Sequence, residues 1–266
     1  MKKEKILCNI ENLNDIEKYK KIGINNFLFA VNEFSIGYKS FDLDEIVNFD
    51  CNKYLLLNRI LDCKDVDSLK SSVNKLKSFD GIIFEDIAVY NILKDQNINL
   101  IYNQNHFATN YKSINYYLDI LYSVVLSNEL CFDEVQEIIN KVNKPVVLNV
   151  FGKNPTMYSR RKLITNFNKY FNLDSCNDVI LNEKITKNEF MAKESEYGTI
   201  LFNNTYFNTI NFVNKMNDNN ILFYLIYPNS LNFFDIEKVI DGNYDGLFDD
   251  GFMNKKTIYK LGDKND

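Results

Sequence analysis

The sequence predicts an α/β protein, a (β/α)8 TIM-type barrel with a β-rich insertion after strand 7. Two observations support this fold class. Short apolar segments alternate with amphipathic helical segments along most of the chain, as in a parallel sheet covered on both faces. The 266 residues are also close to the roughly 250 of a typical barrel. An open doubly wound sheet is the alternative, but no G-x-G-x-x-G motif follows a predicted strand.

Continuous apolar runs such as NFLFAV, at residues 26–31, indicate strands that are buried on both faces. The predicted barrel strands are residues 5–10, 26–31, 54–57, 81–85, 98–102, 122–126, 146–150 and 221–226.

The helices between these strands are predicted from their spacing of apolar residues. In 65–77, for example, Val66, Leu69, Val73 and Leu76 share one face. The predicted helices are residues 13–21, 43–49 (capped by Asp42), 65–77, 88–94, 111–120, 132–142, 207–216 and 234–240.

The alternation stops after the seventh strand, which leads through Phe151-Gly152 into a polar loop with Pro155 and a basic triplet, Arg160 to Lys162. Three β-like segments follow between residues 166 and 203. We therefore expect one barrel domain over 1–266 with an inserted hairpin or small sheet at about 166–203. The aspartate-rich tail does not fit an EF-hand loop and is expected to form turns.

The composition narrows the class of function. The formal net charge is −5, so any contact with nucleic acid must be local. No apolar run resembles a signal peptide or a membrane span, which indicates a cytoplasmic protein without membrane contact. The five cysteines show no metal-like spacing and are expected to be reduced thiols. There is no H-E-x-x-H or G-x-S-x-G motif, and no metal site is predicted.

In a parallel barrel the active face lies at the carboxyl ends of the strands. Carboxylates at such positions can serve as acid and base, so the catalytic candidates are Glu85, Glu129 and the single histidine, His106. The candidate substrate-binding residues at these ends are Asn58, Arg59, Asn103 and Asn110. The alternative is that such polar residues only cap the following helices, as Asp86 and Ser127 or Asn128 are placed to do, and that His106 is structural.

The basic triplet is the second candidate for substrate binding. Arg160 and Arg161 follow the seventh strand, where many barrels bind phosphate. The planar guanidinium of arginine can bind two oxygens of an anion at once. A carboxylate, a phosphate or an RNA backbone could bind here; the alternative is a solvated charge run or salt bridges to carboxylates of the barrel.

The segment 144–165 also resembles the signature of the peptidase U32 family, which has a strand, His-Gly, a cysteine and then Tyr-Ser-Gly-Arg-Cys. Gly152, Tyr158, Ser159 and Arg161 match this pattern. Phe151 replaces the histidine, Arg160 replaces a glycine, and Pro155 and Lys162 replace the two cysteines. Further similar segments lie at 84–93, 101–115, 124–139 and 251–261.

The resemblance implies a barrel fold and adds Ser159 to the candidate substrate-binding residues. Some U32 relatives hold an iron–sulfur cluster on four cysteines; because both signature cysteines are replaced here, no cluster and no other cofactor is expected.

Related U32 proteins support hydroxylation of tRNA or rRNA bases, and several are thought to take the oxygen atom from prephenate. The resemblance therefore favours a part in RNA base hydroxylation, as enzyme or subunit, with prephenate as a possible co-substrate. RNA, through the basic loop, and a second U32 subunit are the expected partners. A U32-type protease and a non-catalytic anion-binding subunit of a larger U32 complex are the alternatives.

Overall fold

The computed structural model of the protein describes residues 1–217 and 219–255. Its strands are β1 (Ile6–Asn9), β2 (Asn26–Val31), β3 (Ser40–Phe41), β4 (Asn52–Leu57), β5 (Gly81–Phe84), β6 (Asn99–Asn103), β7 (Ser123–Val125), β8 (Val146–Gly152), β9 (Pro155–Ser159), β10 (Asp178–Asn182), β11 (Glu189–Ser195), β12 (Gly198–Asn203), β13 (Tyr206–Asn208), β14 (Ile221–Ile226) and β15 (Phe248–Asp249).

The α-helices lie mostly between the strands of the barrel. They are α1 (Ile16–Lys21), α2 (Leu43–Ile46), α3 (Cys63–Leu76), α4 (Ile87–Leu93), α5 (Tyr111–Ile120), α6 (Phe132–Lys141), α7 (Leu163–Phe171), α8 (Ile210–Val213) and α9 (Phe233–Ile240). Each helix within the described residues is too short or too polar to cross a bilayer.

The predicted (β/α)8 barrel is confirmed. Strands β1, β2, β4, β5, β6, β7, β8 and β14 pair in parallel in this order. β14 also pairs with β1, and β8 with β14, so the sheet closes on itself and the alternative of an open sheet is wrong. Alternate side chains such as Leu7, Ile83 and Val147 fill the interior, while their neighbours pack against the helices.

Some of the polar residues after the barrel strands cap the helix that follows them. The side chain of Asp86 accepts a hydrogen bond from the backbone of Ala88 and caps α4, as predicted, and Asp42 forms a capping box with Glu45 at α2. The expected cap of α6 by Ser127 or Asn128 is wrong, because this helix begins only after Cys131.

The predicted β-rich insertion after the seventh barrel strand is confirmed, and it begins earlier than expected. β9 to β12 form an antiparallel sheet in the order β10-β11-β12-β9, with α7 connecting β9 to β10. Residues 155–159 were expected to be a polar loop. They form β9 instead, because β12 offers them a pairing edge: Tyr158 lies opposite Ile200. Pro155 is compatible with this strand because it is the first residue of an edge strand.

A second correction concerns residues 207–216, which were expected to be helical. Their first residues belong to β13, which pairs with the end of β8, with Phe207 opposite Gly152, and with β15 in the tail. The helix α8 is therefore only Ile210–Val213. The tail, expected to form only turns, contributes β15, and the segment 251–261 lies outside the described residues from 256 on.

Gly152 ends β8 at a point where two barrel strands approach closely. Its φ angle is +141°, and a Cβ atom there would lie 2.7 Å from Cβ of Tyr227 and 2.9 Å from the Tyr227 carbonyl oxygen. A side chain would therefore meet both an unfavourable backbone conformation and a steric clash.

We expect Gly152→Ala to be strongly destabilising. Gly23→Ala is the matched control, since Gly23 also has a positive φ, +93°, but its nearest atoms would lie 3.8 Å away. The control should lose about 1–3 kcal/mol from backbone strain alone, and Gly152→Ala about 1–3 kcal/mol more from overpacking. Urea unfolding measures both; equal losses would show that the approach of Tyr227 does not matter.

Candidate functional site

The carboxyl ends of the barrel strands surround a small polar cavity of about 20 Å3, enough for about one water molecule. As predicted for strand ends in a parallel barrel, Asn58, Glu85 and Asn103 come together here. The lining residues are Tyr38, Leu56, Asn58, Glu85, Asn103, Asn105, Val125, Leu126, Asn128, Asn149, Pro155, Leu225 and Tyr227.

Glu85 is the acidic group of this cavity. Its Oε1 accepts a hydrogen bond from Nδ2 of Asn103 at 3.3 Å, and Oδ1 of Asn103 in turn accepts from the backbone of Asn105 at 3.2 Å. Burial raises the pKa of Glu85 to about 8, although a hydrogen bond with the Asn105 side chain partly opposes the shift. At pH 7 the carboxyl is therefore mostly protonated and can donate a hydrogen bond or a proton.

A cluster of amide side chains completes the polar wall. Oδ1 of Asn154 accepts hydrogen bonds from Nδ2 of Asn128 at 2.9 Å and from Nδ2 of Asn149 at 3.0 Å. Oδ1 of Asn149 is buried without a hydrogen-bond partner in the described structure. The cavity thus combines a neutral acid with an unused acceptor. Sequence reasoning missed Asn149, although its polar side chain interrupts the apolar run VVLNV.

Tyr38 closes the mouth of the barrel. Its ring stacks on that of Tyr227, with centroids 4.8 Å apart and planes 30° apart, and meets the ring of Phe202 of the inserted sheet edge-on at 5.5 Å. Burial raises the pKa of both tyrosines. Sequence reasoning missed Tyr38 because it lies in the loop after β2, and its position depends on contacts with distant segments.

Asn58 holds this loop in place. Its Oδ1 accepts a hydrogen bond from the backbone N–H of Ile36 at 2.9 Å, and its Nδ2 donates to the Ile36 carbonyl at 3.1 Å. Both ends of the amide are engaged by the loop, so the described contacts give Asn58 a part in positioning Tyr38.

Arg59 fastens the inserted sheet to the barrel. Its side chain is 6% exposed. The guanidinium carbon lies 3.5 Å from the ring centroid of Tyr197, and the guanidinium donates to Asp65 at 2.9 Å and to the backbone carbonyl of Glu33. Stacking on an aromatic ring and binding a carboxylate are the two interactions that arginine makes better than lysine. Nε of Arg59 is buried without a partner in the described structure.

His106 and Glu129, the other two catalytic candidates, form a separate pair at the rim. Nδ1 of His106 lies 2.8 Å from Oε1 of Glu129, and the two side chains are 53% and 55% exposed. Neither residue lines the cavity of Glu85. The candidates therefore divide into one buried acid and one solvated acid–base pair. Asn110 is exposed and caps α5 by accepting from the backbone of Ser113 at 3.0 Å.

The basic loop, residues 160–162, connects the end of β9 to the start of α7. Oγ of Ser159 accepts from the backbone of Arg161 at 3.2 Å. Nη2 of Arg160 lies 3.1 Å from Oδ2 of Asp62, which caps α3, so this contact ties the loop to the barrel rim. Arg161 is exposed, and its guanidinium makes no ion pair with the part of the chain that the structure describes.

The residues present do not fit an iron–sulfur cluster. Cys8 is buried in the barrel wall and Cys63 lies in α3, whereas Cys51, Cys131 and Cys176 lie in three separate connecting segments. Within residues 1–217 and 219–255, no three His, Cys, Asp or Glu side chains are grouped so that they could hold a metal ion.

The closed parallel barrel makes this protein a TIM-type barrel protein. Its sequence shows to which family of such proteins it belongs. Residues 9–258 match Peptidase family U32. Because the match covers nearly the whole chain, this protein belongs to that family. No curated protein matches the sequence of the chain.

Two solved structures are similar to this chain at low sequence identity. The spore cortex-lytic enzyme SleL of Bacillus cereus is 10% identical, with 92% of this chain and 75% of that chain covered and a TM-score of 0.45. A chitinase from Chromobacterium violaceum is 7% identical, with 91% and 99% covered and a TM-score of 0.40. At these identities and TM-scores, neither similarity bears on the activity of this chain.

We expect the raised pKa of Glu85 to make stability depend on pH. The folded protein keeps this proton up to about pH 8, whereas the unfolded chain releases it near pH 4.3. The contribution of Glu85 to stability is therefore full below about pH 4 and is lost as the pH rises to 8, by about 1 kcal/mol for each pH unit.

Glu85→Gln should remove this slope and make the protein more stable than wild type at pH 8. Glu4→Gln, which neutralises an exposed carboxylate in the turn before β1, far along the chain from the cavity residues, is the matched control and should keep the wild-type slope. The measurement is urea unfolding between pH 5 and 8 in all three proteins. An unchanged slope in Glu85→Gln would show that Glu85 is ionised in the folded protein.

Proposed function

We propose that this protein acts in the hydroxylation of RNA bases, in tRNA or rRNA, as the RNA-binding member of a U32 assembly. The observation that supports this best is the exposed guanidinium of Arg161 in a loop tied to the barrel rim by Arg160 and Asp62. Lys162 is exposed beside it. The chain has a formal net charge of −5, so its overall charge repels a phosphate. The positive charges of this loop provide a local site that attracts one.

The closed mouth of the barrel favours a binding role over a catalytic one. The cavity beside Glu85 holds about one water molecule, because Tyr38 occupies the space above Tyr227. A nucleobase does not fit there while Tyr38 is in place. The dispersed cysteines also provide no cluster of their own. We therefore place the hydroxylation itself, and any use of prephenate, on a second U32 subunit.

The protease alternative is less well supported. The His106–Glu129 pair could move protons, but in the described contacts the His106 side chain bonds only Glu129 and no serine or cysteine. If the protein is nevertheless a protease of this kind, the purified chain should cleave gelatin and lose that activity in His106→Ala.

The RNA-binding step can be tested directly on the purified protein. The fluorescence anisotropy of labelled tRNA, titrated at several salt concentrations, should report binding that weakens in Arg161→Ala, with a salt slope smaller by about 1 because one phosphate contact is lost. Lys184→Ala is the matched control, since Lys184 is an exposed cation of the same insertion in the β10–β11 turn. Equal affinity in wild type and Arg161→Ala, or no binding at all, would contradict the proposal.

The cellular role is tested by nucleoside mass spectrometry of tRNA and rRNA from a strain that lacks the gene. A hydroxylated nucleoside should be missing, and wild type and Lys184→Ala should restore it while Arg161→Ala does so poorly. Co-purification with a larger U32 subunit should accompany this result. If no nucleoside changes, the role in RNA hydroxylation is wrong even where tRNA binding is found.

A further inference from the structure

The inserted sheet has a free edge. β10 is the outermost strand of the order β10-β11-β12-β9, and within the described residues it pairs only with β11. Natural proteins usually protect such edges with lysine, proline, a bulge or a covering segment. β10 has the sequence DVILN and carries none of these residues. Two of its apolar side chains, Ile180 and Leu181, are 49% and 44% exposed.

The hydrogen bonds to β11 show which backbone groups of β10 point outward. The backbone of Glu194 donates to the carbonyl of Asn177 at 2.8 Å, and that of Glu183 donates to the carbonyl of Asn188 at 2.9 Å. In an antiparallel ladder every second residue bonds to a given neighbour. Residues 177, 179, 181 and 183 therefore face β11, and the N–H and C=O groups of Asp178, Ile180 and Asn182 face away from the sheet.

We propose that a second copy of this chain pairs with this edge, β10 against β10 in antiparallel orientation, centred on Ile180. In this register Ile180 faces its own copy, Val179 faces Leu181, and Asp178 faces Asn182. The hydrogen-bonded pairs of this register are Ile180 with Ile180 and Asp178 with Asn182, which are the residues whose backbone N–H and C=O groups point away from β11. No like charges oppose each other, and the apolar side chains meet in the middle, so the strand is complementary to itself.

The surface beside the edge is also apolar. Val179 and Leu181 line a groove of about 500 Å3 together with Leu163, Phe167 and Leu201, on the face of the sheet that carries α7. Because opposite residues of an antiparallel pair point to the same face, the two α7 helices would lie on one side of the joined sheet. The two grooves would then continue into each other across the symmetry axis.

Full-length wild-type protein should sediment as a dimer in analytical ultracentrifugation, and Ile180→Pro as a monomer. The Ile180 N–H points away from β11, so proline removes only the outward donor and leaves the β10–β11 pairing intact. Ile180→Thr keeps the N–H and the β-branched shape and is the matched control, which should remain a dimer. Circular dichroism and thermal unfolding establish that Ile180→Pro is folded.

Charge substitutions test the register independently of proline. Asn182→Lys places a lysine opposite Asp178 of the other copy and should tighten the dimer. The double variant Asp178→Lys/Asn182→Lys places lysines opposite each other and should weaken it. The proposal would be overturned if the wild-type protein sedimented as a monomer at every protein concentration used in the ultracentrifugation. It would also be overturned by a dimer that Ile180→Pro leaves intact, which would assign the interface to another surface.

Discussion

The parallel pairing of β8 with β14 is the interaction on which the rest of the structure depends. It closes the barrel and therefore leaves no free edge in the ring of parallel strands. β8 also extends past the rim, where its end pairs with β13 and where Gly152 lets Tyr227 come close. Asn149 on β8 and Tyr227 after β14 reach the mouth through this same pairing, and the inserted sheet leaves the barrel from it.

The inserted sheet determines the chemistry of the mouth. Ile200 and Phe202 on one face of the sheet pack against Ile36 and Tyr38. The other side of the Tyr38 ring stacks on Tyr227. The stack of Arg59 on Tyr197 holds the sheet there. Water is thereby largely excluded from Glu85, which is why its carboxyl stays protonated at neutral pH. The position of Tyr38, the contact of Arg59 with Tyr197 and the protonated Glu85 therefore depend on one another.

The inserted sheet carries both of the surfaces that we propose for contacts with macromolecules, the basic loop and the free edge, and they lie at opposite sides of the sheet. The basic loop 160–162 follows β9, and the free edge belongs to β10, at the opposite side of the four-stranded sheet. A dimer formed along β10 would therefore leave Arg161 exposed to an RNA backbone. The barrel contributes the rim that anchors the loop, through Asp62, and a mouth that Tyr38 fills.

The sequence by itself determined the barrel, because the periodicity of apolar residues is local: the strand 26–31 and the helix 111–120 were predicted to the residue. It also brought Glu85 and Asn103 together, since parallel strand ends share one edge. Only the tertiary structure decided that 155–159 and 206–208 are strands. Each of them pairs with a strand about 40 to 60 residues away in the sequence, β12 and β8 respectively, and no local pattern shows such a partner. The tertiary structure likewise decided the place of Tyr38 and the separation of His106 from Glu85, since loop positions follow from long-range packing that no local pattern encodes.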